Sequence, residues 1–135
     1  MIPEDLFQAA LAVRDHAHAP YSNYRVSSAI RAASGRIYVG TNVENLSYGG
    51  SICAERSAAC AMVAGGDTQI LELVVITEEG GTPCGICRQF LAEFATEDTL
   101  VWCASPAGSV QTHRMGDLLP HAWNSAVVRR TDETS

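Results

Sequence analysis

The 135-residue sequence predicts a single α/β domain, with a mixed five-stranded sheet flanked by helices. Three observations predict it. Segments of helical and strand period follow one another as helix, two strands, helix, strand, helix, two strands. The stretch Ile70 to Thr77 is almost entirely apolar, as expected of a strand covered on both faces. The composition, 47% apolar and 18% charged, supports a packed core and excludes wholesale disorder.

The elements follow from local chemistry. A first helix is expected from Pro3 to about Ala17. Pro3 suits a first turn, Glu4 and Asp5 suit the positive helix end, and Leu6, Ala10, Val13 and Ala17 share one face. Pro20 and its polar neighbours break that pattern. Arg25 to Ala33 and Arg36 to Val39 read as a hairpin turning at Ser34-Gly35. Gly40 to Ile52 reads as a polar, Gly-rich loop. The Ala-rich run Cys53 to Val63 reads as a helix closed by Gly65-Gly66. Cys84 to Ala95 reads as a third helix, with Ile86, Phe90, Leu91 and Phe94 on one side. Leu100 to Cys103 and Ser109 to Thr112 are short strands around Ser105-Pro106-Ala107-Gly108, and Asp117 to Pro120 is a helical turn. The domain is expected to span 1–128, with 129–135 a frayed, charged tail.

Charge narrows the function classes. Nine basic residues against fifteen acidic give a net charge of −6. That balance argues against a nucleic-acid partner, which needs a basic stripe. No apolar run reaches the roughly 18 residues of a membrane span, so no membrane partner is expected. The N-terminus is acidic where a secretion signal would be basic, so a cytoplasmic location is expected.

The chemistry concentrates in the five cysteines, Cys53, Cys60, Cys84, Cys87 and Cys103. An odd number without a secretion signal is a poor disulfide framework. Pro83-Cys84-Gly85-Ile86-Cys87 places two thiols on one face of a helix start. Cys53 opens another helix, followed two residues later by Glu55. A catalytic zinc takes three protein ligands and keeps a fourth position open. Cys53, Cys84 and Cys87 supply the three, and Glu55 is placed to handle a proton at the fourth. Two alternatives stand beside this reading. A closed structural zinc would recruit a fourth ligand, Cys103 or a histidine; Cys60 lies roughly 10 Å along the helix from Cys53, too far to share an ion. A redox pair would use Cys84 and Cys87 alone and leave Cys53 and Glu55 unexplained. Cys60 and Cys103 are expected to be buried core thiols. Three thiolates on one zinc leave a negative site, which helix N-termini and Arg56 could offset; read alone, Arg56 is an ordinary surface arginine.

With these residues in view, the chain from about Pro20 to Trp123 resembles the small homotetrameric zinc-dependent cytidine deaminases. The resemblance rests on Pro20-Tyr21-Ser22, Asn42-Val43-Glu44-Asn45 with Tyr48 following, Cys53-Ala54-Glu55-Arg56, Pro83-Cys84-Gly85-Ile86-Cys87-Arg88-Gln89, and Leu118-Leu119-Pro120 with Trp123. It implies a three-layer fold, bound Zn2+, a small nucleoside substrate and a homotetramer serving pyrimidine salvage. It implies that Glu55 is catalytic, that Cys53, Cys84 and Cys87 hold the metal, and that Arg56 donates to a cysteine sulfur. It implies that Asn42 and Glu44 bind the ribose 3′-hydroxyl and that Tyr24, in the place of a phenylalanine, packs on the base. Ala54 would offer backbone groups to the base, Tyr48 would complete the site across a subunit interface, and Trp123 would reach a neighbouring subunit's site.

The first strand departs from the family pattern. Arg25, Ser27 and Ser28 are polar and are expected beside the base pocket. This departure keeps a second substrate class in view, a cytosine nucleoside antibiotic of the blasticidin S type or another amino-heterocycle. Asn42 and Glu44, which the antibiotic deaminases do not keep, favour ordinary cytidine or deoxycytidine. A polynucleotide-editing deaminase fits the charge poorly. A zinc-stabilised binding module would lack turnover and unfold on chelation.

Overall fold

The computed structural model describes residues 1–123. Helix α1 (Glu4–Val13) precedes strands β1 (Ser27–Ala32) and β2 (Ile37–Thr41). Helix α2 (Ala54–Ala64) leads to β3 (Ile70–Ile76), and α3 (Gly85–Ala92) leads to β4 (Leu100–Ala104). Strand β5 (Val110–Arg114) and a single turn, α4 (Met115–Leu118), follow. The five strands lie in the order β2-β1-β3-β4-β5. Only β3 and β4 are parallel, so the sheet is mixed as the sequence predicts.

Strand period divides the core into two layers. Ala29, Val74, Ile76, Trp102 and Ala104 face α1 and meet Leu6 and Ala10. Their neighbours Ile30, Leu73, Val75, Val101 and Cys103 face the other way, with Ala58, Ala59 and Met62 of α2 and Leu91 of α3. The three-layer arrangement is therefore α1, sheet, then α2 with α3. Gly40 lets α2 sit directly on β2, because a Cβ there would strike the Ala58 amide nitrogen and the Ala54 carbonyl oxygen. That close approach fixes the N-terminal end of α2.

Several expected boundaries shift. Helix α1 ends at Val13 and tightens into a 3-10 turn at Arg14–His16 instead of running to Ala17. The last helical turn begins at Met115, ahead of Asp117, because Met115 is buried and draws the turn onto the core. Leu71 is half exposed at the start of β3, so that strand is covered on both faces only from Leu73 onward. Ile86 is 66% exposed and does not join the apolar side of α3. The expected tail at 129–135 lies outside the described residues. Among the described residues, no helix is long and apolar enough to cross a membrane.

Candidate active site

Helix α2 begins beside the C-terminal end of β2 and α3 follows the C-terminal end of β3, on the edge where open α/β sheets place their clefts. Cys53 and Cys84 are the N-cap residues of the two helices, each with extended backbone. A serine or aspartate at such a position would cap a backbone N–H; neither cysteine does, so each sulfur is left beside the positive end of a helix. Cys87 lies one turn into α3 and is fully buried.

The three sulfurs converge. Cys53 Sγ lies 3.7 Å from Cys84 Sγ, and Cys84 Sγ lies 3.5 Å from Cys87 Sγ. All three fall within 4.8 Å of one another. A tetrahedral zinc with bonds of about 2.3 Å holds its sulfurs roughly 3.8 Å apart, so the triangle fits this ion. Among the described residues no histidine, carboxylate or fourth cysteine joins the group, which leaves one position of a tetrahedron open. Cys103 lies buried in β4, its thiol pushed up to about 11 by burial. Cys60 is exposed on the outer face of α2, contrary to the buried core position expected of it.

Without a metal the thiols share protons among themselves. Cys53 is lowered to about 5, first by a hydrogen bond from Cys87 and then by Arg56 and Cys84, against the opposing effect of burial. Cys87 is held protonated by that same bond to Cys53 and by its burial. A cation on the sulfurs replaces these shared protons. The Arg56 guanidinium lies near enough to the sulfurs for its charge to lower Cys53; among the described residues its one hydrogen bond runs to the Ser51 carbonyl at 3.4 Å, and its buried Nε has no partner. Arg56 is therefore beside the thiolates and not simply a surface cation.

Glu55 is 4% exposed and lines the cavity beside this triangle. Burial pushes its carboxyl up to about 7, with the negative charge at Cys53 adding to the effect. A buried carboxyl poised near neutrality can both take and return a proton.

The cavity above these groups has a volume of about 310 Å³. Its floor is Cys53, Ala54, Glu55 and Cys84. One wall is Tyr24 and Val26 with Asn42 and Glu44; another is the loop after β3, through Thr77, Glu79, Gly81 and Thr82. Ser51 and Ile52 complete it. Val43 and Ile52 exchange backbone hydrogen bonds at 2.9 and 3.0 Å, which closes the intervening loop and delivers Cys53 to its place.

Asn42 and Glu44 hold the wall as well as lining it. Asn42 accepts from Val26 N at 3.0 Å and donates to Tyr24 O at 2.7 Å. Glu44 accepts from Tyr21 N at 3.0 Å, from Ser22 N at 3.1 Å and from the Ser22 hydroxyl. The Ser22 bond is the main reason its carboxyl sits below the usual range.

The structure thus brings Tyr24, Asn42, Glu44, Ala54, Glu55, Cys53 and Cys84 around one cavity, with Cys87 behind them. Tyr48 and Trp123 stay outside it, 74% and 64% exposed. Tyr48 packs edge-on against Tyr21, and the Trp123 carbonyl accepts from Gln89. Arg25, Ser27 and Ser28 do not line it, contrary to expectation. Ser27 and Ser28 are fully buried in β1, where Ser28 donates to Val74 O at 2.8 Å, and Arg25 pairs with Asp15 on the surface. Sequence reasoning missed Val26, Thr77, Glu79, Gly81 and Thr82 as lining residues; no local spacing marks a wall that a loop provides. It also left Arg88 without a role. That side chain binds Pro83 O, Thr82 Oγ1 and Leu118 O at 2.8 to 2.9 Å, locking the approach to Cys84.

Comparison with known proteins agrees with this geometry. Residues 2–103 match the family described as the cytidine and deoxycytidylate deaminase zinc-binding region. A cytidine deaminase from Halalkalibacterium halodurans is 34% identical over 122 residues, which is 89% of this chain and 92% of the relative. The crystal structure of a cytidine deaminase from Burkholderia pseudomallei superposes with a TM-score of 0.85 at 38% identity, covering 91% of this chain and 100% of that one. That of the Mycobacterium tuberculosis cytidine deaminase gives 0.77 at 36% identity, covering 88% and 94%. The chain belongs to the cytidine and deoxycytidylate deaminase family with its zinc-binding region.

Proposed function

We propose that this protein is a zinc-dependent cytidine deaminase, converting cytidine or deoxycytidine and water to uridine or deoxyuridine and ammonia. The observation that carries the reading is the open triangle of three cysteine sulfurs with a buried carboxyl, Glu55, beside it on the floor of one cavity. Cys53, Cys84 and Cys87 would hold the ion. Zinc there supplies Lewis acidity, bringing a water toward ionisation near neutral pH. Glu55 takes the proton of the attacking water and delivers it to N3 of the base, then carries a second proton to the departing amino group. Arg56 and the two helix N-termini offset the negative charge of three thiolates.

The sugar end of the cavity has the right spare capacity. After its internal hydrogen bonds, Asn42 retains one N–H and one lone pair, and Glu44 retains about one acceptor site. One hydroxyl, which both donates and accepts, needs no more. Tyr24 would pack on the base and Ala54 would present backbone groups to it. Among the described residues, the side chains lining the cavity include the carboxylates Glu44, Glu55 and Glu79 and no cation. That lining favours a neutral nucleoside over a phosphorylated one, because a phosphate there would face carboxylates without a partner.

Tyr21, Leu46, Tyr48 and Trp123 are apolar groups left exposed on the surface of the single chain. We read these as the faces on which further copies of the chain pack, making a homotetramer in which Tyr48 and Trp123 complete a neighbour's site. A role in pyrimidine salvage is the proposal that this substrate supports.

The test is turnover by the zinc-loaded protein, followed by absorbance loss and ammonia release, with cytidine, deoxycytidine, free cytosine and blasticidin S. Turnover of the two nucleosides with little on cytosine is expected. Activity confined to blasticidin S would overturn the nucleoside assignment, and silence on all four would overturn the deaminase reading.

A further inference from the structure

The reaction described above makes no use of Glu79 or of the Tyr24 hydroxyl, yet the two meet across the cavity. Tyr24 Oη donates to Glu79 Oε1 at 2.5 Å, joining residues 55 positions apart in sequence. A hydroxyl donating to a carboxylate is a charge-assisted bond, roughly twice as strong as a neutral one.

Both ends of this bond are independently prepared. The Tyr24 backbone is fixed, because its N–H donates to Ser22 Oγ at 3.0 Å and its carbonyl accepts from Asn42 at 2.7 Å. Only rotation of the side chain is left to settle, and the bond to Glu79 settles it. On the other side, Gly81 N donates to Thr77 Oγ1 at 2.6 Å and folds the loop back on itself. A Cβ on Gly81 would stand 2.8 Å from Glu79 Oε1, so a residue without a side chain leaves room for the carboxylate. A phenylalanine at position 24 would fill the same wall without this bond.

We propose that Glu79 is a positioning residue for substrate binding, holding the Tyr24 ring through its hydroxyl as one fixed wall of the cavity. The proposal rests on the reading of that cavity as a nucleoside site. It also ties the segment before β1 to the loop that leads into Cys84. Burial and the Glu79 bond both keep the phenol protonated, in keeping with its role as donor.

The test is a double-mutant cycle on the zinc-loaded protein with cytidine as substrate. Immobilising one side chain before binding is worth about 3- to 10-fold in KM. Tyr24→Phe and Glu79→Ala should each raise KM by that amount with little change in kcat, since the wall meets substrate and transition state alike. The double variant should be no worse than either single one, and Glu79→Gln, whose amide oxygen still accepts, should recover most of the loss. Additive effects, an unmoved KM or a loss confined to kcat would overturn the proposal. A second readout separates it from the substrate assignment. Ultraviolet difference titration should show a phenol ionisation above the usual 10 that vanishes in Tyr24→Phe and moves down in Glu79→Ala. If wild type turns over no nucleoside, the substrate reading fails, and this titration alone decides whether Glu79 holds the Tyr24 ring. A titration indifferent to Glu79→Ala overturns it.

Discussion

The floor and the rim of the cavity are built on different principles. The floor stands on the first turns of two helices that pack against the same face of the sheet, and its residues are local neighbours in sequence: Cys53 with Glu55 and Arg56, Cys84 with Cys87. The rim is made of loops fastened by side chains reaching backbone groups, with Glu44 gripping Tyr21 and Ser22, and Asn42 gripping Tyr24 and Val26. Helix starts carry the reacting groups, and loops held by side chains carry recognition. Damage to the floor should therefore abolish chemistry, whereas damage to the rim should weaken binding.

The largest effect is expected from the metal triangle. Cys84→Ser should leave too few thiolates to retain zinc, and turnover should fall by about 10⁴-fold or more. Metal content after dialysis, measured together with activity, checks both halves. A variant that keeps its zinc and its turnover would remove Cys84 from the site.

Glu55→Gln should come next, lowering kcat by about 10²- to 10⁴-fold while zinc content stays at wild type, since proton transfer alone is lost. The same variant isolates a stability effect. In metal-free protein the Glu55 carboxyl is raised from 4.5 to about 7. A raised carboxyl adds its stability below about 4.5, where the group is neutral in both states, and loses it as the pH rises through 7. The loss is on the order of 3 kcal/mol by full ionisation. Cys53, lowered from 9.0 to about 5, works in the opposite direction, its stability lost as the pH falls from 9 through 5, so the two effects overlap between pH 5 and 7. The informative quantity is therefore the difference between wild type and Glu55→Gln in thermal unfolding at pH 5 and pH 8. A difference that does not grow in favour of the variant at the higher pH would contradict the burial argument.

The contrast between floor and rim also marks what was legible in the sequence. Cys84 and Cys87 three residues apart, and Glu55 two after Cys53, show their purpose because helix geometry converts such spacing into proximity. Burial of β3 on both faces was legible from the unbroken apolar run, and the structure puts Val74 in one layer of the core and Val75 in the other. The rim was legible only through resemblance. The bond from Tyr24 to Glu79 spans 55 residues, and whether the two meet depends on loop lengths that no period encodes. Ser27 and Ser28 misled because polarity suggested a pocket, whereas Ser28 satisfies its hydroxyl on a neighbouring strand inside the core. Cys60 misled in the opposite sense, since a small thiol is usually buried and this one faces solvent.

A smaller effect is expected at Asn42. Asn42→Ala removes two hydrogen bonds to the Tyr24–Val26 backbone, each worth about 1 kcal/mol, and removes the groups offered to a sugar hydroxyl. KM for cytidine should rise about 10-fold or more, with zinc content unchanged. Because free cytosine has no sugar, its slow turnover should be much less affected. An equal loss on both substrates would show that Asn42 supports the wall without reading the ribose.

The mildest test asks whether a second chain completes the rim. Trp123 is 64% exposed and Tyr48 is 74% exposed, both outside the cavity of their own chain. Assembly should cover such groups and bring them to a neighbour's mouth, while the zinc triangle needs nothing from a second chain. Floor and rim should then separate on dilution. Specific activity should fall as the oligomer dissociates, by roughly 10-fold if one interfacial aromatic ring is withdrawn from the site. Zinc content per chain should stay constant over the same range. Trp123→Ala should show the lowered activity at every concentration, if the Trp123 indole is the ring that a neighbour supplies. Specific activity that holds constant through a dissociation seen by light scattering would mean that the rim, like the floor, is complete within a single chain.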